Sequence, residues 1–210
     1  MRRASFDKLL VLIRDQLEAD QSQAARRGGA IMPEIRLYCT LRWLGGGSYQ
    51  DICIFVGIHQ ASFYRIAWQT IFAIVNCPEL RLRFPQTLEE CAVAAENFAT
   101  ISRGRAITNC VGAIDGFLLE IIAPPRHIVG NVRSYFSGHY QRYGINCQAV
   151  SDHLSRFIYF AVAGPGVMGD NTAVHEVDLF DLIDNLPVPY CVIDDAAYQL
   201  TECNREWNYG

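Results

Sequence analysis

The sequence predicts an α/β unit preceded by an all-α region, and three observations carry that expectation. Apolar residues recur at helical spacing through about residue 101, whereas from Asn109 the chain breaks into short apolar or alternating segments separated by Gly, Pro, Asn and Asp. Strand-like and helix-like stretches then alternate, the texture of layered α/β or α+β domains. The charge divides at the same place: residues 1–110 hold 13 Arg and Lys against 10 Asp and Glu, a net of +3, and residues 111–210 hold 5 against 12, a net of −7. The expected organisation is a helical region over 1–108 and an α/β domain over 109–210. A mildly basic half suits contact with something anionic, and an acidic half suits something cationic.

Composition excludes several classes. Half of the 210 residues are hydrophobic, ample for a packed core. No uncharged apolar run reaches the roughly 18 residues a membrane-crossing helix needs. The basic start "MRR" is followed by apolar residues interrupted by Asp7, Lys8, Arg14 and Asp15, which reads as an amphipathic helix rather than a secretory signal. The eight cysteines form no C-x-x-C pair and lie in apolar stretches such as "DICIF" and "YCVID". They are expected to act as small hydrophobes in a reducing, intracellular compartment, without a structural zinc site.

The helical region justifies itself element by element. Phe6, Leu9, Leu10, Ile13 and Leu17 trace one face of a helix over 5–25, and 24–30 is a loop. A second helix begins near Pro33, where proline suits a first turn. A glycine run at 45–47 ends it, and Ser48 caps a short helix through about Phe55. Gly57 permits a sharp turn, and His59 or Gln60 opens a longer helix with Phe63, Ile66, Ala67, Ile71 and Ile74 on its apolar face. Short helix, glycine turn, longer helix over about 45–75 is the helix-turn-helix pattern. In that motif the first residues of the second helix enter the major groove, which singles out His59, Gln60, Ser62 and Arg65 as DNA-contact candidates. A bundle corner with no DNA contact fits the same pattern. Thr87 with Glu90 makes a capping box for a helix reaching Ile101.

In the second region, strands are expected over 110–114, 118–122, 143–152, 156–164 and 190–194, with a loop over 164–170 and a helix over 171–186. Asp115 then follows the first strand, Asp170 lies at the loop-to-helix junction, and Asp194 and Asp195 end the last strand. Carboxylates from different strand ends can hold Mg²⁺ or Mn²⁺, and two such ions about 3.5–4 Å apart serve phosphodiester chemistry. Each residue also has a plainer reading. Asp115 before Gly116 suits a turn, Asp170 a helix cap, Asp194 and Asp195 a turn, and Asp178, Asp181 and Asp184 a solvated helix face. Other chemistries lack their residues. Ala113 stands where a haloacid-dehalogenase-like phosphatase needs aspartate, and phosphate-loop, nucleophile-elbow and zinc-protease motifs are missing.

The order of motifs resembles PIF/Harbinger-type transposases. "SYQDICIFVGIHQASFYRI" is similar to their helix-turn-helix, and "VGAIDGFLLEI", "YQRYGINCQAVSDHLSRFIYFAVAGPGVMGDNTAV" and "YCVIDDAAYQL" are similar to successive motifs of their DDE endonuclease domain, together covering roughly 36–200. The resemblance implies an RNase H-like fold and cleavage of DNA with Mg²⁺ or Mn²⁺. It implies a first catalytic aspartate at Asp115, a P-G-x-x-x-D motif at Pro165, Gly166 and Asp170, and a D-[SA]-[AG]-Y motif at Asp195, Ala196, Ala197 and Tyr198. The metal set it implies is Asp115, Asp170 and Asp195, with Asp115 and Asp195 catalytic. It further implies a Myb-like DNA-binding partner and a nuclear location. Two departures stand out. Phe117 and Leu118 replace a polar residue and histidine after the Asp-Gly, and the family's final glutamate has no equivalent, since Glu202 and Glu206 follow Asp195 too closely. The expectation is therefore a nuclease domain incomplete at its C-terminus, with a catalytically inactive DNA-binding or protein-interaction protein as the alternative.

Overall fold

The computed structural model describes residues 1–18 and 29–195. The chain separates into two compact units, Met1–Arg81 and Leu82–Gly210. The first is all helical: α1 (Arg3–Leu17), α2 (Pro33–Leu44), α3 (Tyr49–Val56) and α4 (Gln60–Val75). Leu10, Ile13 and Leu17 of α1 repeat at helical spacing and bury against Leu37 of α2, Ala73 of α4 and Cys77. A second cluster joins Cys39 of α2, Ile52 of α3 and Phe63, Ile66 and Ala67 of α4, with the Trp43 ring edge-on to Phe63 at 5.7 Å.

Local chemistry sets the boundaries. Pro33 opens α2, and the Asp51 amide donates to Ser48 Oγ at the start of α3. Gly57 closes α3 at φ 74°, a left-handed conformation that glycine adopts without steric cost. His59 caps α4, its Nδ1 accepting from the Ala61 amide at 3.2 Å. Arg36 was not singled out by its sequence context, yet it is only 3% exposed. Its guanidinium donates to the Ile31 carbonyl at 2.9 Å and to Gln69 Oε1 at 3.0 Å, so its charge is hydrogen-bonded rather than stranded. Burial, and then the neighbouring Arg65 charge, lower its pKa.

The second unit begins with α5 (Leu88–Ile101), whose Thr87–Glu90 capping box is fully formed. Strands β1 (Cys110–Glu120), β2 (Phe136–Ser137), β3 (Arg142–Ser151), β4 (Phe157–Pro165) and β5 (Cys191–Ile193) follow, with short helices α6 (Arg126–Val129), α7 (Asp170–Glu176) and α8 (Leu179–Asp184). β3 runs antiparallel to β1, β2 and β4, and β5 joins the free edge of β1 in parallel. Ile114 and Val150 pack beneath Val174 of α7 and Leu179 of α8. Cys91 of α5 packs with Val111 and Leu186, which is why the helix ending at Ile101 belongs with the sheet.

Two expectations are corrected here. The separate strands over 110–114 and 118–122 are one continuous β1, and the Asp115–Gly116 pair forms no turn: Asp115 pairs with Ala149 and Gly116 with Gln148. The helix over 171–186 is two helices, because Val177 is extended (φ −118°, ψ 166°) and Asp178 is held by the Tyr159 hydroxyl of β4. Burial and then the bond to Asp178 push the Tyr159 hydroxyl pKa upward. The seven described cysteines are free, and burial pushes the Cys39 and Cys110 thiols up to about 11, the behaviour of inert core groups. Among the described residues no helix is long and apolar enough to cross a membrane.

Candidate active site

Asp115 lies within β1 and is exposed, although its neighbour Ile114 is 4% exposed. The alternation of a strand explains the contrast, since successive side chains leave opposite faces. On the Asp115 side stand Phe117 and, across β3, Phe160 and Val162 of β4; the Phe117 and Phe160 rings are 5.9 Å apart. Phe160 and Val162 are 40% and 56% exposed, so this side of the sheet is accessible around the carboxylate.

The parallel register of β5 bears directly on the partner of Asp115. Gly112 pairs with Val192 and Ala113 with Ile193. β5 ends at Ile193, so Asp195 lies two residues beyond the paired segment, as Asp115 lies two residues beyond Ala113 on β1. Asp194, also exposed, immediately precedes it. Its carboxyl pKa is raised by burial and then by the charge of Asp195. Ala196, Ala197 and Tyr198 of the D-[SA]-[AG]-Y motif, with Glu202 and Glu206, lie outside the described residues.

Asp170 occupies a different position. It is the first residue of α7, after the N-cap Gly169, and its Oδ1 accepts from Asn146 Nδ2 at 3.1 Å and Gln148 Nε2 at 3.2 Å. Gln148 is fully buried and also donates to Asn146 Oδ1 at 2.8 Å, while Asn146 donates to the Met168 carbonyl at 3.0 Å. This amide relay lies over Gly116: a Cβ there would meet Asp170 Oδ1 at 2.1 Å and Gln148 Nε2 at 2.8 Å. The face of Gly116 is opposite to that of Asp115, so Asp170 and Asp115 are on two sides of one strand. The glycine after Asp115 thus makes room for a carboxylate.

Asp170 is therefore set apart from Asp115 across β1, while Asp195 follows β5, the strand paired with β1. Among the described residues, no group of three or more His, Cys, Asp or Glu is arranged to hold a metal ion. Two aspartates still suit Mg²⁺ or Mn²⁺, hard cations that often take one or two protein carboxylates and fill the remaining positions with water and substrate phosphate. The sequence reading missed Asn146 and Gln148. Their one available signal is a pair of amides two residues apart in the otherwise apolar "INCQAV", a spacing that puts both on one strand face.

In the first unit His59, Gln60 and Arg65 are exposed and Ser62 is half-buried, all within the first two turns of α4. Gln60 donates to the Tyr49 hydroxyl at 3.4 Å, and His59 spends its Nδ1 on the cap, leaving Arg65 as the one permanent cation of the four.

Residues 114–207 match the family described as DDE superfamily endonuclease, a span that includes Asp115, Asp170 and Asp195. The match supports a transposase-derived nuclease domain in the second unit, and divalent-metal use and DNA as substrate are general features of that superfamily. No curated protein and no solved structure gives a significant match.

Proposed function

We propose that the second unit is a divalent-metal-dependent DNA endonuclease domain of PIF/Harbinger type, RNase H-like in fold. The observation that supports this reading is the parallel pairing of β5 with β1, whose register, continued two residues past Ile193, would bring Asp195 beside the exposed Asp115. An antiparallel β4–β3–β1 meander extended by a parallel β5 supports the fold. In this reading Asp115 and Asp195 hold Mg²⁺ or Mn²⁺, which when bound polarises the phosphodiester and acidifies the attacking water. Asp170, implied as a further ligand by the motif resemblance, serves instead to fasten α7 to β1 and β3 through Gln148 and Asn146. His59, Gln60, Ser62 and Arg65 contact DNA, with a Myb-like protein as partner and the nucleus as the place of action.

Nicking of supercoiled plasmid in Mn²⁺ tests this reading. Asp115→Asn and Asp195→Asn should each abolish nicking, and Asp194→Asn should spare it. Unchanged nicking by either of the first two variants sinks the metal assignment. The position of Asp170 across β1 from Asp115 favours a second reading, a DNA-binding protein that has lost catalysis. DNA binding with no nicking by the unaltered chain would select it.

A further inference from the structure

Helix α4 is apolar on two opposite faces. Phe63, Ile66, Ala67, Thr70 and Ala73 are buried within the first unit. On the outer side Ala61, Arg65, Trp68, Phe72 and Val75 are all exposed, Trp68 by 53%, Phe72 by 58% and Val75 by 65%. A helix that is hydrophobic all round belongs in an interior, so the outer face calls for a cover.

The spacing of the outer residues says what kind. They recur at intervals of four, three, four and three, which keeps all five on one stripe of the helix, the arrangement a seam between paired helices needs. The Trp68 and Phe72 rings already touch, with centroids 6.2 Å apart, and form a prearranged apolar centre midway along the seam. Charge then decides the orientation. Arg65 is the one charged residue in α4, near its N-terminal end, with the buried Arg36 close behind it. The opposite end offers the negative pole of the helix and exposed Glu79 in the 3-10 turn Pro78–Leu80. A parallel pair would set Arg65 against Arg65. An antiparallel pair with its two-fold near Thr70 sets Trp68 against Phe72 and Arg65 against Val75. Because helical side chains lean towards the N-terminus, each Arg65 then points to the partner's C-terminal end and its Glu79.

We propose that α4 pairs antiparallel with α4 of a second copy of this chain, along the seam Ala61, Arg65, Trp68, Phe72 and Val75. The surface is self-complementary in charge, which is what a two-fold interface requires. A seam over residues 61–75 spans about 22 Å, so the dimer belongs to the small, concentration-dependent class of interfaces. Pairing does not depend on the nuclease reading, and because it uses Arg65 it and the DNA contact proposed for that side chain are alternatives.

Sedimentation equilibrium of the full chain over a concentration series tests the proposal. The expected result is a monomer–dimer equilibrium that Phe72→Glu weakens by roughly tenfold or more, as for a central interface anchor. Trp68→Ala should weaken it similarly, and helical circular dichroism should be unchanged in both because the side chains are exposed. Arg65→Glu should also weaken it, and adding Glu79→Arg should restore it. A chain that stays monomeric throughout the series overturns the proposal, as does a dimer insensitive to Phe72→Glu. Failure of the charge exchange to restore pairing overturns the antiparallel arrangement.

Discussion

Gly116 and Asp170 show how a short motif acquires its meaning from a distant residue. Read locally, an aspartate followed by glycine suits a turn; within β1 the pair serves two faces of one strand. Asp115 leaves on the accessible side, and the missing side chain of Gly116 admits the Asp170 carboxylate on the other. Gly116→Ala should force Asp170 off Gln148 and Asn146, leaving a buried amide under-satisfied at a cost of about 1–3 kcal/mol. Asp170→Ala removes the same bonds at a similar cost. The double variant should cost clearly less than the sum, because the methyl group then enters vacated space. Urea unfolding of the three variants measures this, and strict additivity would show that the two positions do not act through one contact. The choice of Asp115 was legible from its motif. The separation of Asp170 from it was not, because that depends on which face of β1 receives α7.

At the scale of single elements, chain punctuation was the most legible feature. Ser48, Gly57, His59 and Thr87 each act where the pattern puts them, since a capping side chain needs only its own helix. Glu90 in the Thr87 box accepts from the Gln86 and Thr87 amides, and these bonds lower its pKa below the usual 4.5. A depressed carboxyl contributes stability that is present above its unfolded pKa and disappears as pH falls through the folded value. Glu90→Gln should therefore destabilise the protein at neutral pH by an amount that vanishes in acid below pH 4.5. A penalty that persists there would show that the box does not act through ionised Glu90. Thr87→Ala, which removes the other half, should cost about 1 kcal/mol by thermal or urea unfolding. Breaks of tertiary origin were not legible. The interruption at Val177–Asp178 depends on Tyr159 reaching over from β4, and nothing between residues 171 and 186 announces it.

For the whole molecule, the unequal charge of the two halves separates the two tasks. The cationic half carries the helical unit, and the acidic half carries the sheet that holds Asp115 and leads into Asp195. If Arg65 contacts phosphate, Arg65→Ala should lower the slope of log affinity against log salt by about 0.9 for duplex DNA. An unaltered slope removes Arg65 from the DNA contacts and leaves it to the α4 seam. The same charge asymmetry makes a cation site in the second unit the central claim, and binding of Mn²⁺ by the purified chain, followed by calorimetric titration, tests it most directly. Asp115→Asn and Asp195→Asn should each weaken binding at least tenfold, while Asp194→Asn should leave it unchanged. Equal Mn²⁺ affinity in the unaltered chain, Asp115→Asn and Asp195→Asn would contradict the account.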